Sequence, residues 1–426
     1  MLVGTSVRRV AIVGGSRIPF ARSMGAYAQY TNQDMLTAVI SNLVQRFDLA
    51  GQRLGDVGAG AVLKHSKDFN LTRESVLSSG LSPETPAYDL QRACGTSLET
   101  AIDIGMKIAL GVIDSGIAAG VDTASDAPIV YPRDYQQLLL RSARGKSLGA
   151  RLRPWLGLRP RHFRPVAPAV VEPRTGLSMG ESCELMAKDW GISRQAQDEL
   201  ALASHRRAAA AYDAGFFRDL VVPFGPLEQD DNLRRDTSLE KLAQLKPVFD
   251  RTHGTLTAGN STPLTDGAAA VLLASEAWAR ARQLPVLAYF SYARIAAVDF
   301  VGRDGLLMAP AFAVPRMLAD AGLALGDFDF YELHEAFAAQ VLCTLAAWES
   351  PEFCRERLGL DGPLGAIDRD RLNVMGSSLA VGHPFGATGA RILATLAKLL
   401  AERAAHRGLI SICTAGGMGV TAILER

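Results

Sequence analysis

The chain has 426 residues, with 45 Lys plus Arg against 44 Asp plus Glu, and 48% of it is hydrophobic. Near-neutrality with this much apolar content excludes an intrinsically disordered chain, and also a nucleic-acid binder that works through a large overall positive field. The length exceeds one ordinary core and points to two or three domains, or to a duplicated unit carrying an insertion.

The start of the chain reaches an apolar, strand-like run, Val10-Ala11-Ile12-Val13, too soon to hold a charged region followed by a signal core. No uninterrupted apolar stretch reaches the roughly 18 residues that span a bilayer. The five cysteines, Cys94, Cys183, Cys343, Cys354 and Cys413, contain no CxxC pair. A disulfide framework or a Cys-rich zinc site is therefore not expected, and the expectation is a cytoplasmic protein whose cysteines work as thiols.

In chain order, Ala38 through Val57 reads as helix, turn and strand. Cys94 then lies in Ala93-Cys94-Gly95-Thr96-Ser97, before an expected helix Leu98–Ile113 and an expected strand Ser115–Gly120. From Tyr135 to Val171 there is no acidic residue, while Arg141, Arg144, Lys146, Arg151, Arg153, Arg159, Arg161 and Arg164 all fall inside, interrupted by prolines. That stretch reads as an inserted excursion: either a solvated basic loop or, given Trp155, Leu156, Leu158 and Phe163, a surface for polyanions or membrane head groups.

Helical periodicity follows over Gly180–Trp190 and Arg194–Ala214, and a small-residue segment suited to tight burial over Gly267–Ala274. Ala309 through Phe328 repeats the helix-turn-strand of Ala38–Val57 at an offset of 271 residues. Cys94-Gly95-Thr96 with its helix and strand is likewise matched by Phe385-Gly386-Ala387 with its helix and the strand Leu409–Thr414. Two similar α/β halves burying one core between them would explain both matches.

Four side chains carry chemistry in this reading. Cys94 precedes a helix N-terminus, where unpaired N–H groups and the positive dipole end favour a thiolate with its pKa drawn towards neutrality; its alternative is a small buried hydrophobe. His383, among glycines and Pro384 before a helix at Ala390–Ala401, is placed to exchange a proton with a thiol. Cys413 ends a strand and enters Thr414-Ala-Gly-Gly-Met-Gly419, whose N–H groups suit an anion pocket. His334, with Glu335, ends the expected strand Phe328–Leu333. Histidines 65, 162, 205, 253 and 406 read as surface, and no HExxH or metal-spaced histidine pair is present, so a metal is not expected. Neither a GxxxxGK[ST] loop nor a GxGxxG after a strand occurs, which disfavours nucleotide hydrolysis and nicotinamide chemistry.

Taken together these motifs resemble the thiolase family over essentially the whole chain: Gly15-Ser-Arg-Ile-Pro-Phe20, Ala93-Cys94-Gly-Thr-Ser97, Thr257 to Gly267, His334-Glu-Ala-Phe-Ala338, Gly382-His383-Pro384 and Cys413. The resemblance implies an α/β thiolase fold, two repeated βαβαββ halves in a five-layered α-β-α-β-α body with an inserted loop domain. The boundaries it implies are 1–125 with 265–285 for the first half, 126–264 for the insertion and 286–426 for the second half. It implies a 3-ketoacyl-CoA thiolase of fatty-acid β-oxidation, an acyltransferase in which His383 activates Cys94 as acyl carrier and Cys413 exchanges the α-proton of acetyl-CoA.

On the same basis, the backbone N–H groups of Cys94 and Ala415 form one oxyanion site, and His383 with His334 the other. Met179, Thr262 and Phe337 border the pantetheine, and no cofactor beyond coenzyme A is implied. His334, where many relatives have Asn, resembles the thiolase subunit of the β-oxidation multienzyme complex. That implies a homodimer or dimer of dimers, a hydratase/dehydrogenase α subunit as partner and a peripheral membrane contact through 135–171, with no nucleic acid. The alternatives are a biosynthetic acetoacetyl-CoA thiolase and, in another class, a non-catalytic scaffold subunit. A positive local potential from the basic stretch would in either enzyme help capture a ligand with several phosphate charges.

Overall fold

A computed structural model describes residues 7–166, 171–302 and 304–426. Strands β1 (Val10–Arg17) and β6 (Thr265–Ser275) are buried at every position. Small and branched apolar residues without polar alternation make strands that need cover on both faces. β6 pairs antiparallel with β1 and with β5 (Ser115–Asp122), while β5 runs parallel to β3 (Asp56–Ala59), and β3 to β4 (Ala87–Asp89). A two-residue β2 (Ala21–Arg22) pairs with the first residues of β6.

The second half repeats this order. β7 (Ala288–Ala297) pairs antiparallel with β10 (Met418–Glu425), β10 antiparallel with β9 (Arg407–Thr414), and β9 parallel with β8 (Phe330–Leu333). A single parallel bridge from Tyr331 to Leu372 stands where the first half has β4. Pairing of Ala11 with Tyr289 and of Ile12 with Ala288 joins the two halves into one ten-stranded order. The duplication expected from the sequence is present in the backbone, with β7, β8, β9 and β10 answering to β1, β3, β5 and β6.

Helices complete five layers. On one outer face lie α1 (Asn32–Arg46) and α2 (Leu71–Ser78). Thr31 caps α1 in a reciprocal box with Asp34, and Met35, Leu36, Val39, Ile40 and Leu43 pack on Ala11, Val13, Ile117 and Ala119. Between the sheets run α3 (Thr96–Ala109) and, from the second half, the helix Thr388–Arg403. Their apolar residues, Leu98, Ala101 and Ile104 with Ile392, Leu393 and Leu396, share one core with Ile12 and Val271 of the first sheet and Ile410 and Val420 of the second.

Between β5 and β6 the chain makes its excursion, with α4 (Arg133–Ala143), α5 (Leu148–Leu152), α6 (Met179–Asp189), α7 (Arg194–Asp213) and α8 (Leu239–Ala243). After β6 come α9 (Glu276–Ala281), α10 (Ala309–Ala321), α11 (Ala338–Glu349), α12 (Pro351–Phe353), α13 (Ser378–Val381) and α14 (Thr388–Arg403). α10 and α11 form the other outer layer, where Val314, Leu318, Val341 and Leu345 meet Leu409 and Ile423.

Two local expectations are corrected. The basic stretch is not a loop throughout: α4, α5 and 3-10 turns at 153–157 and 160–163 occupy it, with residues 167–170 outside the described set. Nor are His162 and His205 surface residues. His162 is buried under α4, its ring stacked on Tyr135, and His205 on α7 is buried with its Nδ1 accepting the Arg234 N–H. Both lie on helix faces that pack inward, which a polar neighbourhood in sequence does not reveal.

The halves meet most closely where α3 and α14 begin. A Cβ on Gly120 would lie 2.0 Å from the Gly386 carbonyl oxygen, and one on Gly389 would lie 2.3 Å from the Leu98 nitrogen. Neither neighbour is a flexible side chain. Gly389→Ala is therefore expected to destabilise the protein by about 1–3 kcal/mol, the usual cost of overpacking a rigid contact, read as a lower midpoint in denaturant unfolding.

Candidate active site

Cys94 reaches the centre of the molecule on a sharp turn. Ala93 adopts a left-handed φ of 44°, and Gly95 is the N-cap of α3. The Thr96 hydroxyl staples this turn, donating to the Ala93 carbonyl at 2.7 Å and accepting the Arg92 N–H at 2.9 Å. Gly95 leaves room for the opposite half, since a Cβ there would meet Val420 Cγ2 at 2.7 Å.

From that opposite half comes His383. Its backbone N–H donates to Thr265 Oγ1 at 3.1 Å, and three residues on the Gly386 N–H donates to Asp122 Oδ2 at 2.6 Å. Asp122 ends β5 and also accepts the N–H groups of Val62 and Leu63, so one buried carboxylate ties the histidine loop of the second half to the first. The result is a His383 Nε2 to Cys94 Sγ distance of 3.2 Å.

The neighbours of His383 suit a ring proton on Nδ1. Thr388 Oγ1 donates to the Pro384 carbonyl at 3.2 Å and lies 2.6 Å from His383 Nδ1. With its own hydrogen committed, the hydroxyl accepts from Nδ1–H, leaving the Nε2 lone pair towards the thiol. Burial lowers the His383 pKa to about 3 and raises that of Cys94 to about 12. The backbone N–H groups of Ala415 and of Cys94 itself oppose that rise and pull the thiol partway back.

The sequence-based expectation of a Cys94 pKa drawn towards neutrality is corrected, since the shift runs upward. Desolvation outweighs the helix N-terminus, so the pair rests as thiol and neutral imidazole.

His334 follows β8 and its ring lies against His383, with centroids 4.1 Å apart. Its backbone N–H donates to the Ser411 carbonyl at 2.8 Å, and its ring Nδ1 lies 2.8 Å from Ser378 Oγ on α13. Cys94 Sγ and one nitrogen each of His334 and His383 all fall within 4.8 Å of one another. Cys413, at the end of β9, is buried, and a negative Cys94 raises its thiol pKa beyond the effect of burial. Ala415 follows it into a turn through Gly416 and Gly417, which have φ of 76° and 68°.

The residues expected beside pantetheine also converge. Met179 opens α6 and Phe337 caps α11, both in the apolar cluster that holds Cys413, with Phe249 edge-on to Phe337 at 5.9 Å. The Thr262 N–H and hydroxyl both donate to the Ala336 carbonyl, at 3.1 and 3.0 Å.

Sequence reasoning missed the supports: Asp122, Thr265, Ser378, Thr388 and Arg391. Of these, Thr388 and Arg391 lie within the glycine-rich motif around His383 and carry a local signal. Asp122 and Thr265 show their role only through partners from the other half. Ser378 is one of two adjacent serines with nothing local to distinguish it.

With this geometry in view, the comparisons are decisive for the family. Residues 10–277 match the family described as Thiolase, N-terminal domain, and residues 284–426 match Thiolase, C-terminal domain. The chain belongs to the thiolase family. It is 43% identical over 423 residues to a 3-ketoacyl-CoA thiolase of Pectobacterium atrosepticum, covering 98% of this chain and 96% of that one. A 3-ketoacyl-CoA thiolase of Yersinia pestis is 41% identical over 98% of this chain and 97% of its own.

Among solved structures, the Bacillus anthracis acetyl-CoA acetyltransferase superposes with a TM-score of 0.83 at 29% identity, over 99% of this chain and 100% of that one. Human mitochondrial 3-ketoacyl-CoA thiolase gives 0.80 at 29% identity, over 98% and 99%.

A thiol at rest reacts only through its small ionised fraction. Alkylation of Cys94 by iodoacetamide in the ligand-free protein should therefore accelerate steadily as pH rises through neutrality into the alkaline range. A plateau reached below neutral pH, measured by quenched alkylation and peptide mass, contradicts the neutral pair.

Proposed function

We propose that the protein is a 3-ketoacyl-CoA thiolase, an acyltransferase that uses the CoA thiol to cleave 3-ketoacyl-CoA into acetyl-CoA and a shortened acyl-CoA. The observation that carries this is the 3.2 Å contact between a thiol and the acceptor nitrogen of a buried imidazole, with a second thiol beside them. Carbon–carbon cleavage next to a thioester needs a nucleophile that forms a thioester, a base for it, a second acid/base and two oxyanion sites.

In the proposed sequence the Cys94 proton passes to His383 Nε2 as the sulfur adds to the 3-keto carbon. The N–H groups of Cys94 and Ala415 hold the resulting oxyanion. The bond between C2 and C3 then breaks, its electron pair forming the enolate of acetyl-CoA beside His383 and His334. Cys413 protonates that enolate at C2 and is left as thiolate. Incoming CoA gives its thiol proton to Cys413 and attacks the acyl group; Cys94 leaves and recovers its proton from His383. Each group ends as it began, so the cycle consumes no cofactor besides CoA.

The likeness to an acetyl-CoA acetyltransferase keeps a second reading in view, synthesis of acetoacetyl-CoA. A non-catalytic scaffold has no use for a base aligned on a thiol, and is disfavoured. Neither reading needs a membrane span, and no helix among the described residues is long and apolar enough to form one. A cytoplasmic homo-oligomer fits this reading, with a hydratase/dehydrogenase chain as partner.

Treatment with acetyl-CoA should acetylate Cys94 in the native protein and leave Cys94→Ser without label. An unlabelled native Cys94, read by peptide mass spectrometry, would sink the mechanism. Thiolysis that persists with long-chain 3-ketoacyl-CoA excludes the short-chain synthase.

The basic excursion also bears on function. Leu156 is 89% exposed and Phe163 58%, among arginines of which Arg161 is paired with Asp134. Neutralising Arg151, Arg153, Arg159 and Arg161 together should raise KM for acyl-CoA without altering Cys94 acetylation. Unchanged KM with lost binding to anionic vesicles assigns the patch to membrane contact instead.

A further inference from the structure

Arg391, in the first turn of α14, is buried, and although burial lowers its pKa to about 10 it stays cationic at neutral pH. The buried carboxyl groups of Glu332 and Glu335 oppose that lowering. A guanidinium has donors and no acceptor. Nη2 lies 2.7 Å from Ser378 Oγ, and Nη1 lies 3.3 Å from Ser377 Oγ. Ser378 must therefore accept from Arg391, and its own hydrogen is left for one acceptor. The partner at bonding distance is His334 Nδ1, at 2.8 Å. An Nδ1 that accepts carries a lone pair, so the ring proton resides on Nε2. Nε2 is buried and has no protein partner.

We propose that Ser378 and Arg391 are positioning residues that lock His334 as its Nε2–H tautomer, so that a neutral ring donor, and not a lone pair, is presented to the enolate oxygen of acetyl-CoA. The identity of that oxygen rests on the thiolase reading of the site; the tautomer does not. The two touching imidazoles are thereby set in opposite senses. Thr388 makes His383 Nε2 an acceptor for the thiol, and Ser378 makes His334 Nε2 a donor.

Chemistry requires this division, because burial holds His334 well below the usual imidazole range and an imidazolium donor is not accessible to it. The opposite tautomer would aim a lone pair at a developing negative charge. A proton on His334 Nε2 also leaves only two lone pairs among Cys94, His383 and His334, fewer than the three protein ligands of a catalytic zinc site.

Long-range proton–nitrogen correlation on histidine-labelled protein reads the tautomer directly, with the His334 signal identified by its loss in His334→Asn. The expected native pattern is a protonated Nε2 and a bare Nδ1 across neutral pH, retained in Arg391→Lys, which keeps a donor-only neighbour. Ser378→Ala should lose that single pattern and lower kcat on the order of tenfold, less than deletion of an oxyanion donor outright, with KM and Cys94 acetylation unchanged. Ser378→Thr should restore both signal and rate.

A native His334 protonated on Nδ1 overturns the proposal, as does a Ser378→Ala protein with native kcat or an unmoved His334 signal. Failure of native Cys94 to acetylate would instead overturn the reading of the reaction and leave the tautomer result standing.

Discussion

The contact on which the rest depends is the one between the beginnings of α3 and α14, where Gly389 lies against the Leu98 backbone and Gly120 against the Gly386 carbonyl. Each helix belongs to a different half of the duplication, and each carries one partner of the thiol–imidazole pair at its entrance. Hydrogen bonds cross at the same place, from the Ala390 N–H to Ser97 Oγ at 2.8 Å and from the Gly386 N–H to Asp122. An added methyl would push the helices apart and lengthen a 3.2 Å contact that proton transfer needs short. Packing in the middle layer and chemistry at the site are thus set by the same few atoms.

Duplication gives the site its asymmetry. The first half supplies a nucleophile on a strained turn; the equivalent turn of the second half supplies the imidazole. The second half also brings His334 and Cys413 from the ends of adjacent strands, β8 and β9. All four groups are half-buried or buried, and desolvation favours the neutral form of each. These four groups therefore carry charge only during turnover.

Much of this was legible in the sequence because its signals are local. The glycines around His383, the Cys94 turn and the repeat between Ala38–Val57 and Ala309–Phe328 each depend on a short run of residues, and the backbone repeats accordingly. What the sequence hid depends on partners far away in it. The ionisation state of Cys94 follows from burial by the opposite half, which local helix-end reasoning cannot weigh. Ser378 gains meaning only between Arg391 and His334, and His162 and His205 are buried by neighbours that share no pattern with them. The basic stretch read as a loop because prolines mask short helical turns between them.

The position of β10 has a consequence for how the molecule comes into being. It lies between β7 and β9, yet it follows both in the chain, and no described strand comes after it. During synthesis the sheet of the second half therefore stays open, with two unpaired inner edges, until its last segment emerges. Cys94 is made long before, and meets Val420 and the rest of its enclosure only when that strand closes the sheet. Until then the core around Cys94 lacks one wall, and a thiol in an incompletely closed chain is open to oxidation and to chaperone capture.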